Sequence, residues 1–398
     1  MKILALHNYY QQRGGEDQCF EDTIRVLKAH GHEVREQTMH NDQIKGAKKV
    51  KVALDTLWSR TSYRLIGQVI QDFKPDLMHA MNTFPLFSPS VFYAAKKLGV
   101  PVIHEIQNYR TSCAGAYLLR DGNVCEKCIG AAFPIAAIQH RCYRGSRLGS
   151  AILATTIALH RWKRTWHNAV DLILCPSKIS KQKLIESGMP GEKITVKLNS
   201  LDFDPGMGRG TGGFAVFVGR LSPEKGLDTL VDAWKTDSAL PILKIIGDGP
   251  LATMVQAAQA ADTRIQWLGR KPIPELLEIV GQANCLVMPS VWYETFGRTT
   301  VEAFAKGTPV VGSRIGGTAE IIDEGKNGWL FTPGNAQELA SKVKMAMNLS
   351  LDEASSYRDA ARKSYLQNYT SEVNYRRLLE CYQKAMDSSA RSETASNA

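Results

Sequence analysis

Two glutamates flank a Phe-Gly turn in the stretch VWYETFGRTTVEAFAKG, which spans residues 291–307. Glu294 precedes the turn, and Glu302 lies in an Ala-rich run that predicts a helix. If that helix begins near Gly297, its free backbone N–H groups and its dipole attract a phosphate group. Glu302 can then accept hydrogen bonds from a ribose diol, while Glu294 points toward a transferred group. The alternative is that Glu294 caps the helix and Glu302 is a solvated helix charge.

Two further loops carry residue types that suit a diphosphate. In VGRLSPEKG, Arg220 follows a predicted strand and Lys225 lies just before a predicted helix. Two cations beside a helix N-terminus bind phosphate oxygens well. In IIGDGP, Asp248 lies between two glycines in a tight turn, where the backbone can approach a ligand closely. These loops predict a diphosphate-binding site.

Alternating strand and helix patterns position these loops. The first half has predicted strands ILALH, HEV, PDLMHA, VPVIHEI and DLILCPS, with helices over residues 16–30 and 88–98. A second series follows, with strands FAVFVGR, PILKIIGDG, IQWLGR, NCLVMPS and PVVGSR. Strands separated by helices imply parallel sheets, which bind ligands at the carboxyl ends of their strands. We therefore predict an α/β protein with two Rossmann-like parallel-sheet domains that face each other across a cleft.

The chain length of 398 residues also indicates two domains, because it exceeds what one hydrophobic core usually holds. We expect an N-terminal domain over residues 1–200 and a C-terminal domain over 214–368. The segment 201–213 has five glycines and one proline, which predicts a linker. Residues 369–387 are expected to form a helix that packs back on the N-terminal domain. A polar, small-residue composition predicts a disordered tail over 388–398.

The net charge of +10 is unevenly distributed, since no acidic residue lies between Glu126 and Asp171. We expect this stretch to form a basic amphipathic surface on anionic lipid; the alternative is an ordinary basic surface over a core helix. No nucleic-acid-binding motif accompanies the charge. No export signal or membrane-spanning run is recognisable, so we expect a cytoplasmic protein. The basic and interleaved apolar residues are Lys127, Arg141, Tyr143, Arg144, Arg147, Leu159, Arg161, Trp162, Lys163, Arg164 and Trp166.

Four of the eight cysteines fall within thirty residues, with the spacing C-x11-C-x2-C-x13-C. They are Cys113, Cys125, Cys128 and Cys142. A C-x2-C knuckle with two further thiolates is compatible with a tetrahedral structural zinc site. Four reduced structural thiols are the alternative, because a cytoplasmic chain is not expected to contain disulfides.

Together these motifs resemble the retaining glycosyltransferases of family 4, which have the GT-B fold. Glu294 and Glu302 match the Glu-x7-Glu motif of the family, and Arg220 with Lys225 match its phosphate-binding pair. Its N-terminal Gly-Gly loop is matched by residues 14–15, and GTPVVGSRIGGTAEII and PDLMHA are further matches. More narrowly, SPSVFYAAKKLGVPV, NYR, CEKC, RCYRGS and HRWKRTW resemble the branch that builds capsular and exopolysaccharide repeat units.

This resemblance implies a retaining hexosyltransferase that requires no metal. The donor is expected to be a UDP- or GDP-sugar and the acceptor a lipid-linked saccharide, at the inner face of the plasma membrane. The alternatives are a nucleotide-sugar 2-epimerase of the same fold and an inactive, zinc-containing assembly subunit. The implied catalytic residues are Glu294, Arg220, Lys225 and Gln107. The implied donor-binding residues are Gly14, Gly15, Arg220, Lys225, Asp248, Gly269, Phe296, Gly297, Arg298 and Glu302.

Two features depart from the family pattern or need a separate explanation. Gln107 stands where this branch usually has histidine; it can hydrogen-bond a hydroxyl but cannot take a proton at neutral pH. We expect His104, three residues earlier, to be structural. Asp202 and Asp204 spell a DxD sequence, which holds a divalent metal in other glycosyltransferases. Here we expect it to be structural, because two cations and a helix N-terminus already neutralise the leaving diphosphate.

Overall fold

A computed structural model describes residues 1–46 and 48–396. The chain forms two compact units. The first contains residues 1–118, 125–198 and the chain from Ser371 onward, and the second contains residues 119–124 and 199–370. The change from the first unit to the second at residue 199 lies two residues from the end that we predicted for the N-terminal domain.

The first unit is built on a six-stranded sheet in the order β2-β1-β3-β4-β7-β8, and all of its strand pairs are parallel. Its second strand, β1, is buried at six of eight positions, and four of these six are apolar, as expected for a strand covered on both faces. The strands are β1 (Lys2–Tyr9), β2 (Glu33–His40), β3 (Leu77–Ala80), β4 (Val102–Glu105), β7 (Leu172–Cys175) and β8 (Ile194–Val196). A short antiparallel hairpin, which belongs to the second unit, consists of β5 (Leu119–Arg120) and β6 (Asn123–Val124).

Helices connect these strands. The first of them buries Phe20, Ile24 and Leu27, the residues at helical spacing in its sequence. The helices are α1 (Gly15–Ala29), α2 (Lys49–Leu57), α3 (Arg60–Phe73), α4 (Ser90–Lys97), α5 (Ile135–Gln139), α6 (Arg147–Trp162), α7 (Thr165–Asn168), α8 (Lys178–Glu186) and the C-terminal α16 (Ser371–Ser396). Short 3-10 helices lie at Asn41–Ile44 and Gly191–Lys193.

The second unit repeats this architecture, with a parallel sheet in the order β11-β10-β9-β12-β13-β14. Its strands are β9 (Phe214–Val218), β10 (Ile242–Ile246), β11 (Ile265–Trp267), β12 (Cys285–Met288), β13 (Val310–Ser313) and β14 (Gly328–Phe331). Its helices are α9 (Leu227–Thr236), α10 (Ala252–Ala261), α11 (Ile273–Gln282), α12 (Arg298–Ala305), α13 (Gly316–Ile321), α14 (Ala336–Met347) and α15 (Leu351–Asn368), with a 3-10 helix at Pro223–Lys225. The prediction of two Rossmann-like parallel-sheet domains is confirmed.

The glycine-rich segment that we predicted to be a linker packs on the second unit. Backbone N–H groups of Gly208 and Gly210 donate to the carbonyls of Lys306 and Gly281, both at 2.9 Å. A Cβ atom at Gly208 would come within 2.3 Å of the Gly281 carbonyl oxygen. Glycine is therefore needed here for close backbone contact, which its sequence cannot distinguish from flexibility.

Most of the segment predicted to be a disordered tail is helical. Helix α16 continues to Ser396, well past residue 388, and residues 397–398 lie outside the described part of the chain. Its middle part is anchored because Leu378, Tyr382 and Ala385 are buried against the first sheet. Once a helix is anchored, each further residue adds a backbone hydrogen bond, and a run with Ala, Arg and Glu continues it readily.

A buried polar network joins α16 to this sheet. The hydroxyl of Tyr382 lies 2.8 Å from Nδ1 of His79, whose Nε2 lies 3.0 Å from Oε2 of Glu105. The other carboxylate oxygen of Glu105 pairs with Nζ of Lys197 at 3.1 Å, and both side chains are only 1% exposed. Burial alone would raise the pKa of Glu105, but attraction to Lys197 and the hydrogen bond with His79 lower it to about 2. Glu105 is therefore ionised at neutral pH.

We expect Glu105→Gln to lower the free energy of unfolding by about 3–5 kcal/mol, because it leaves the Lys197 charge buried without a partner. The matched control is Glu36→Gln, which breaks the exposed pair between Glu36 and Lys28 and should cost less than about 1 kcal/mol. Chemical denaturation at pH 7 measures both.

The pH dependence gives a second readout. The pKa of Glu105 is depressed from an ordinary 4.5 to about 2, so its contribution is complete above the higher value and lost as pH falls toward the lower one. Stability should therefore decline more steeply over this range in the wild type than in Glu105→Gln. Equal losses of stability in Glu105→Gln and Glu36→Gln would contradict a buried ion pair. Parallel pH profiles of stability for the wild type and Glu105→Gln would contradict it too.

Candidate functional site

The first predicted cation lies where β9 ends. Arg220 follows Gly219 at the carboxyl end of that strand and is exposed. Among the described residues it has no ion-pair partner. An exposed guanidinium at the carboxyl edge of a parallel sheet can form two parallel hydrogen bonds to phosphate oxygens.

Lys225 and Glu294 lie directly together. The Lys225 ammonium donates to Oε2 of Glu294 at 2.7 Å, and the same oxygen accepts from the Ser290 hydroxyl at 3.1 Å and the Trp292 indole at 3.2 Å. All three described bonds of this carboxylate end on Oε2, which leaves Oε1 for another donor. From the sequence we assigned these two residues to a leaving diphosphate and a transferred group; the structure shows that each also positions the other.

Helix α12 begins next to this pair. Its N-cap residue, Gly297, has the left-handed backbone conformation with φ 96°, and no side chain caps the helix. The first backbone N–H groups of α12 are therefore available to an anion. The alternative that Glu294 caps this helix is wrong, because its carboxylate binds Lys225, Ser290 and Trp292 instead.

Three buried hydroxyls lie in this region that the sequence did not single out. Within the residues that the structure describes, the side-chain oxygens of Thr300, Ser313 and Thr318 have no hydrogen-bond partner. A Cβ atom at Gly297 would come within 2.6 Å of the Thr318 hydroxyl and 3.4 Å of the Thr300 hydroxyl. The motif GRTT followed by GGT was the available signal, since small hydroxyl residues after glycines often serve phosphate groups.

The remaining predicted residues of this loop take different positions. Glu302 lies one helical turn into α12, and its Oε1 accepts from Nε of Arg298 at 3.1 Å. Phe296 is only 4% exposed, and its ring packs against Tyr369 at a centroid distance of 6.0 Å. Phe296 therefore supports the loop from inside the second unit, while Arg298 and Glu302 form a partly exposed pair.

Glycines bring three strand ends of the second sheet close together. Gly247 has φ 140°, and a Cβ atom there would lie 1.9 Å from the Gly219 carbonyl oxygen. Its N–H donates to the Gly269 carbonyl at 2.8 Å. Asp248 is half exposed, and its Oδ1 accepts from the N–H of Gly249 at 2.8 Å. The predicted Asp248 and Gly269 thus lie in adjoining loops.

Asp204 of the DxD sequence has the structural environment that we expected. Both of its carboxylate oxygens accept from the guanidinium of Arg362, at 2.7 and 2.5 Å. The hydrogen bond from Arg362 lowers the pKa of Asp204. This pair fixes α15 to the segment that leads into the second sheet.

Comparisons with known proteins identify both parts of the chain. The family model for glycosyltransferase family 4 matches residues 13–204, and the model for glycosyl transferases group 1 matches residues 208–364. Together they cover both units and the loops described above. The chain belongs to this family of glycosyltransferases.

Several relatives are known by function. The chain is 28% identical to the GDP-mannose-dependent alpha-mannosyltransferase of Corynebacterium glutamicum, over 67% of this chain and 57% of that protein. It is also 28% identical to the amylovoran biosynthesis glycosyltransferase AmsK of Erwinia amylovora, over 54% of this chain and 56% of that protein. The alignments thus span little more than half the length of these curated relatives.

Solved structures share the fold. The crystal structure of Anabaena HepE in complex with UDP matches with a TM-score of 0.65 and 20% identity, over 96% of this chain and 99% of that one. The likeness establishes the GT-B fold that we predicted.

Three predicted residues lie in the first unit of this glycosyltransferase. Gly14 caps α1 and its N–H donates to Asp17 at 3.1 Å, while a side chain at Gly15 would meet no atom within 4 Å. Gln107 is buried, and its amide nitrogen donates to Oε1 of Glu105 at 2.7 Å. Gln107 is therefore joined to the network beneath α16, a connection that the sequence did not show.

The four clustered cysteines are free thiols in one neighbourhood. Burial raises the pKa of Cys128 to about 11, and the charges of Cys113, Cys142 and Cys125 raise it further. Within residues 1–46 and 48–396, no group of three or more His, Cys, Asp or Glu residues is arranged to hold a metal ion. Zinc at these thiols stays a prediction, and four reduced thiols remain the alternative.

The basic stretch is only partly a surface. Trp166 is 7% exposed, and Arg161 hydrogen-bonds the Ala131 carbonyl, so these two residues pack inward. Trp162 in contrast is 80% exposed. The ammonium of Lys163 lies 5.5 Å from the ring of Trp58. The basic surface that we expected therefore contains fewer of the residues near Arg161 and Trp166 than the sequence suggested.

Beside Trp58 lies a groove of about 620 Å³ that the sequence did not reveal. We call it the aromatic-basic groove. Arg60, Arg64 and Lys97 on its walls have no ion-pair partner among the described residues. Its lining residues are Trp58, Arg60, Tyr63, Arg64, Tyr93, Lys96 and Lys97. Across the described part of the chain, no helix has the length and hydropathy needed to span a membrane.

Proposed function

We propose that this protein is a retaining glycosyltransferase that moves a hexose from a UDP- or GDP-sugar to a lipid-linked saccharide. The reaction would serve capsule, exopolysaccharide or lipopolysaccharide biosynthesis. The observation that carries the proposal is the pairing of Lys225 with Glu294 beside the uncapped N-terminus of α12. The relationship to polysaccharide-building enzymes supports it.

The diphosphate is the part of the donor that these groups suit best. Arg220 is exposed without an anionic partner, and the first N–H groups of α12 have no capping side chain. Together with Lys225 they supply positive charge where a leaving diphosphate becomes more negative, which is the largest kind of catalytic stabilisation in such sites. We infer that the reaction needs no metal ion, because this set already neutralises the leaving group.

The two glutamates would hold opposite ends of the donor. Glu302, one turn inside α12, is placed to accept from the ribose hydroxyls, with Arg298 fixing its orientation. Glu294 keeps Oε1 available and would accept from hydroxyls of the transferred sugar. The acceptor hydroxyl would attack from the same face that the diphosphate leaves, which retains the configuration.

The acceptor side would lie in the first unit. A lipid-linked saccharide carries a diphosphate at a membrane surface, and the aromatic-basic groove offers unpaired cations beside three aromatic rings. Aromatic rings and cations together suit the interface between water and lipid. We therefore place the protein at the inner face of the plasma membrane, held peripherally.

Lys225→Ala should lower the turnover number by at least about 100-fold, because it removes one preorganised cation from the leaving group. The matched control is Lys235→Ala on α9, whose ammonium pairs with Asp232 on the surface and should leave turnover unchanged. Steady-state kinetics on folded protein measures both. Normal turnover in Lys225→Ala would remove the diphosphate assignment.

Glu294→Gln and Glu302→Ala should differ in kind. Glu302 contacts the ribose equally in ground and transition states, so its loss should mainly raise KM for the donor. Glu294 acts on the reacting sugar, so its loss should mainly lower kcat. Wild-type kinetics in both Glu294→Gln and Glu302→Ala would rule out these roles of the two glutamates.

Donor hydrolysis without acceptor also tests the rival functions. An epimerase converts the donor to its epimer, and an inactive subunit leaves the donor untouched.

Binding to vesicles should depend on charge. With about 1 kcal/mol per basic residue near an anionic surface, Arg60→Ala combined with Arg64→Ala should weaken cosedimentation with phosphatidylglycerol vesicles roughly tenfold or more. Lys326→Ala in the second unit is the control, since its charge pairs with Asp323. Binding should also fall as salt rises. Binding that ignores both salt and these substitutions would contradict a membrane role for the groove.

A further inference from the structure

The first unit contains a second cavity, distinct from the aromatic-basic groove, at the carboxyl ends of β3 and β4. Its volume is about 80 Å³, which gives room for about five water-sized groups. Residues 81–85 and 106–111, which follow the two strands, form one wall, and Ile157 and His160 of α6 form the other. We call this space the β3–β4 cavity.

Polar atoms without partners mark its walls. Nδ1 of His104, Oγ1 of Thr111 and Nε1 of Trp166 are buried and have no hydrogen-bond partner in the described part of the chain, and the same holds for Nε of Arg110. Buried polar atoms are nearly always paired in folded proteins. The grouping of such atoms on residues around one cavity indicates a polar occupant. Much of the remaining wall is apolar and includes Met81.

The walls favour an uncharged occupant. Burial lowers the pKa of His104 to about 3 and that of His160 to about 4, so both rings are neutral at pH 7. Burial raises the pKa of Glu16, which also lines the cavity. Among the described residues that line the cavity, the one cation is Arg110, whose guanidinium carbon lies 4.4 Å from the centroid of the Phe84 ring. An anionic group would be buried beside a carboxyl group, which is unfavourable.

We propose that the β3–β4 cavity binds the acetamido group of an N-acetylated acceptor sugar. The amide carbonyl accepts hydrogen bonds from the Trp166 indole and the Thr111 hydroxyl, and the amide N–H donates to Nδ1 of His104. The methyl group contacts the apolar wall. The role of this sugar as an acceptor rests on the proposed glycosyl transfer. Binding of its acetamido group depends on the cavity alone.

Other neutral groups fit less well. A single sugar hydroxyl would occupy only about one of the five water-sized positions, so most of the cavity and its apolar wall would stay unfilled. A polyprenyl chain would fill the volume but offer none of the His104, Thr111 and Trp166 atoms a hydrogen bond, and each buried polar atom left unpaired costs about 1–3 kcal/mol. The acetamido group combines an apolar end with both a donor and an acceptor.

Ligand-observed NMR titration of the full chain tests this. The probes are the methyl glycosides of N-acetylglucosamine, N-acetylgalactosamine, glucose and glucuronic acid. We expect an N-acetylated glycoside to bind at least about tenfold more tightly than the glucoside, and Thr111→Val and Trp166→Phe each to remove about tenfold of its affinity. Thr155→Val, at an exposed position of α6, is the matched control and should bind normally. Melting temperatures verify that each variant is folded.

The outcomes separate this inference from the proposed function. Equal binding of all four glycosides, tighter binding of the glucuronide, or undiminished affinity in both folded cavity variants overturns the acetamido assignment. UDP- and GDP-sugar binding is measured on the same samples by thermal shift. Donor binding without N-acetyl selectivity refutes only the cavity, whereas N-acetyl selectivity without donor binding or turnover refutes the proposed transfer and leaves the cavity as a sugar site.

Discussion

The buried charge of Glu105 joins separate segments of the first unit. A carboxylate in the protein interior is tolerated only when its oxygens are satisfied, and Glu105 is held by Lys197, His79 and Gln107. Through His79 it also reaches Tyr382 of α16. One ion thus fixes the end of β4, the start of the loop that carries residues 107–111, and the C-terminal helix that covers the sheet. Removing any one partner leaves a buried charge incompletely paired, which is costly. For this reason such a network fixes the geometry of its members strongly.

This network explains how the side chain of Gln107 is held in place. Its amide donates to Glu105 at 2.7 Å, whereas a histidine at that position would place a second titratable ring beside His79. In this chain the residue therefore acts first as a positioning group for the loop that forms the wall of the β3–β4 cavity. Gln107 carries no proton that it could transfer to a substrate. Substrate contacts in the first unit would therefore come from its neighbours.

In the second unit the corresponding constraint is close backbone packing. Gly219, Gly247 and Gly269 meet at the ends of three adjacent strands, where a side chain at Gly247 would overlap the neighbouring carbonyl. Gly316 likewise lies against the backbone of Glu294. Such contacts fix the loops that carry Glu294 and the start of α12, and preorganisation of this kind is what the proposed electrostatic stabilisation of a leaving group would require.

Local sequence patterns predicted the fold class correctly and pointed to the loops that we propose bind the donor, because strand and helix periodicity is local and a Glu-x7-Glu spacing across a Phe-Gly turn is read directly. They could not determine which side chains pair. Lys225 and Glu294 are 69 residues apart, and Glu105 meets Lys197 and the His79–Tyr382 contact across three separate segments. A residue type alone also left its structural role open. Glycines within 208–212, which we predicted to be part of a linker, allow close backbone contact. Trp166, which we predicted on a lipid-facing surface, is buried. Tertiary structure decided these points, since burial and unpaired polar atoms arise only when distant segments pack together.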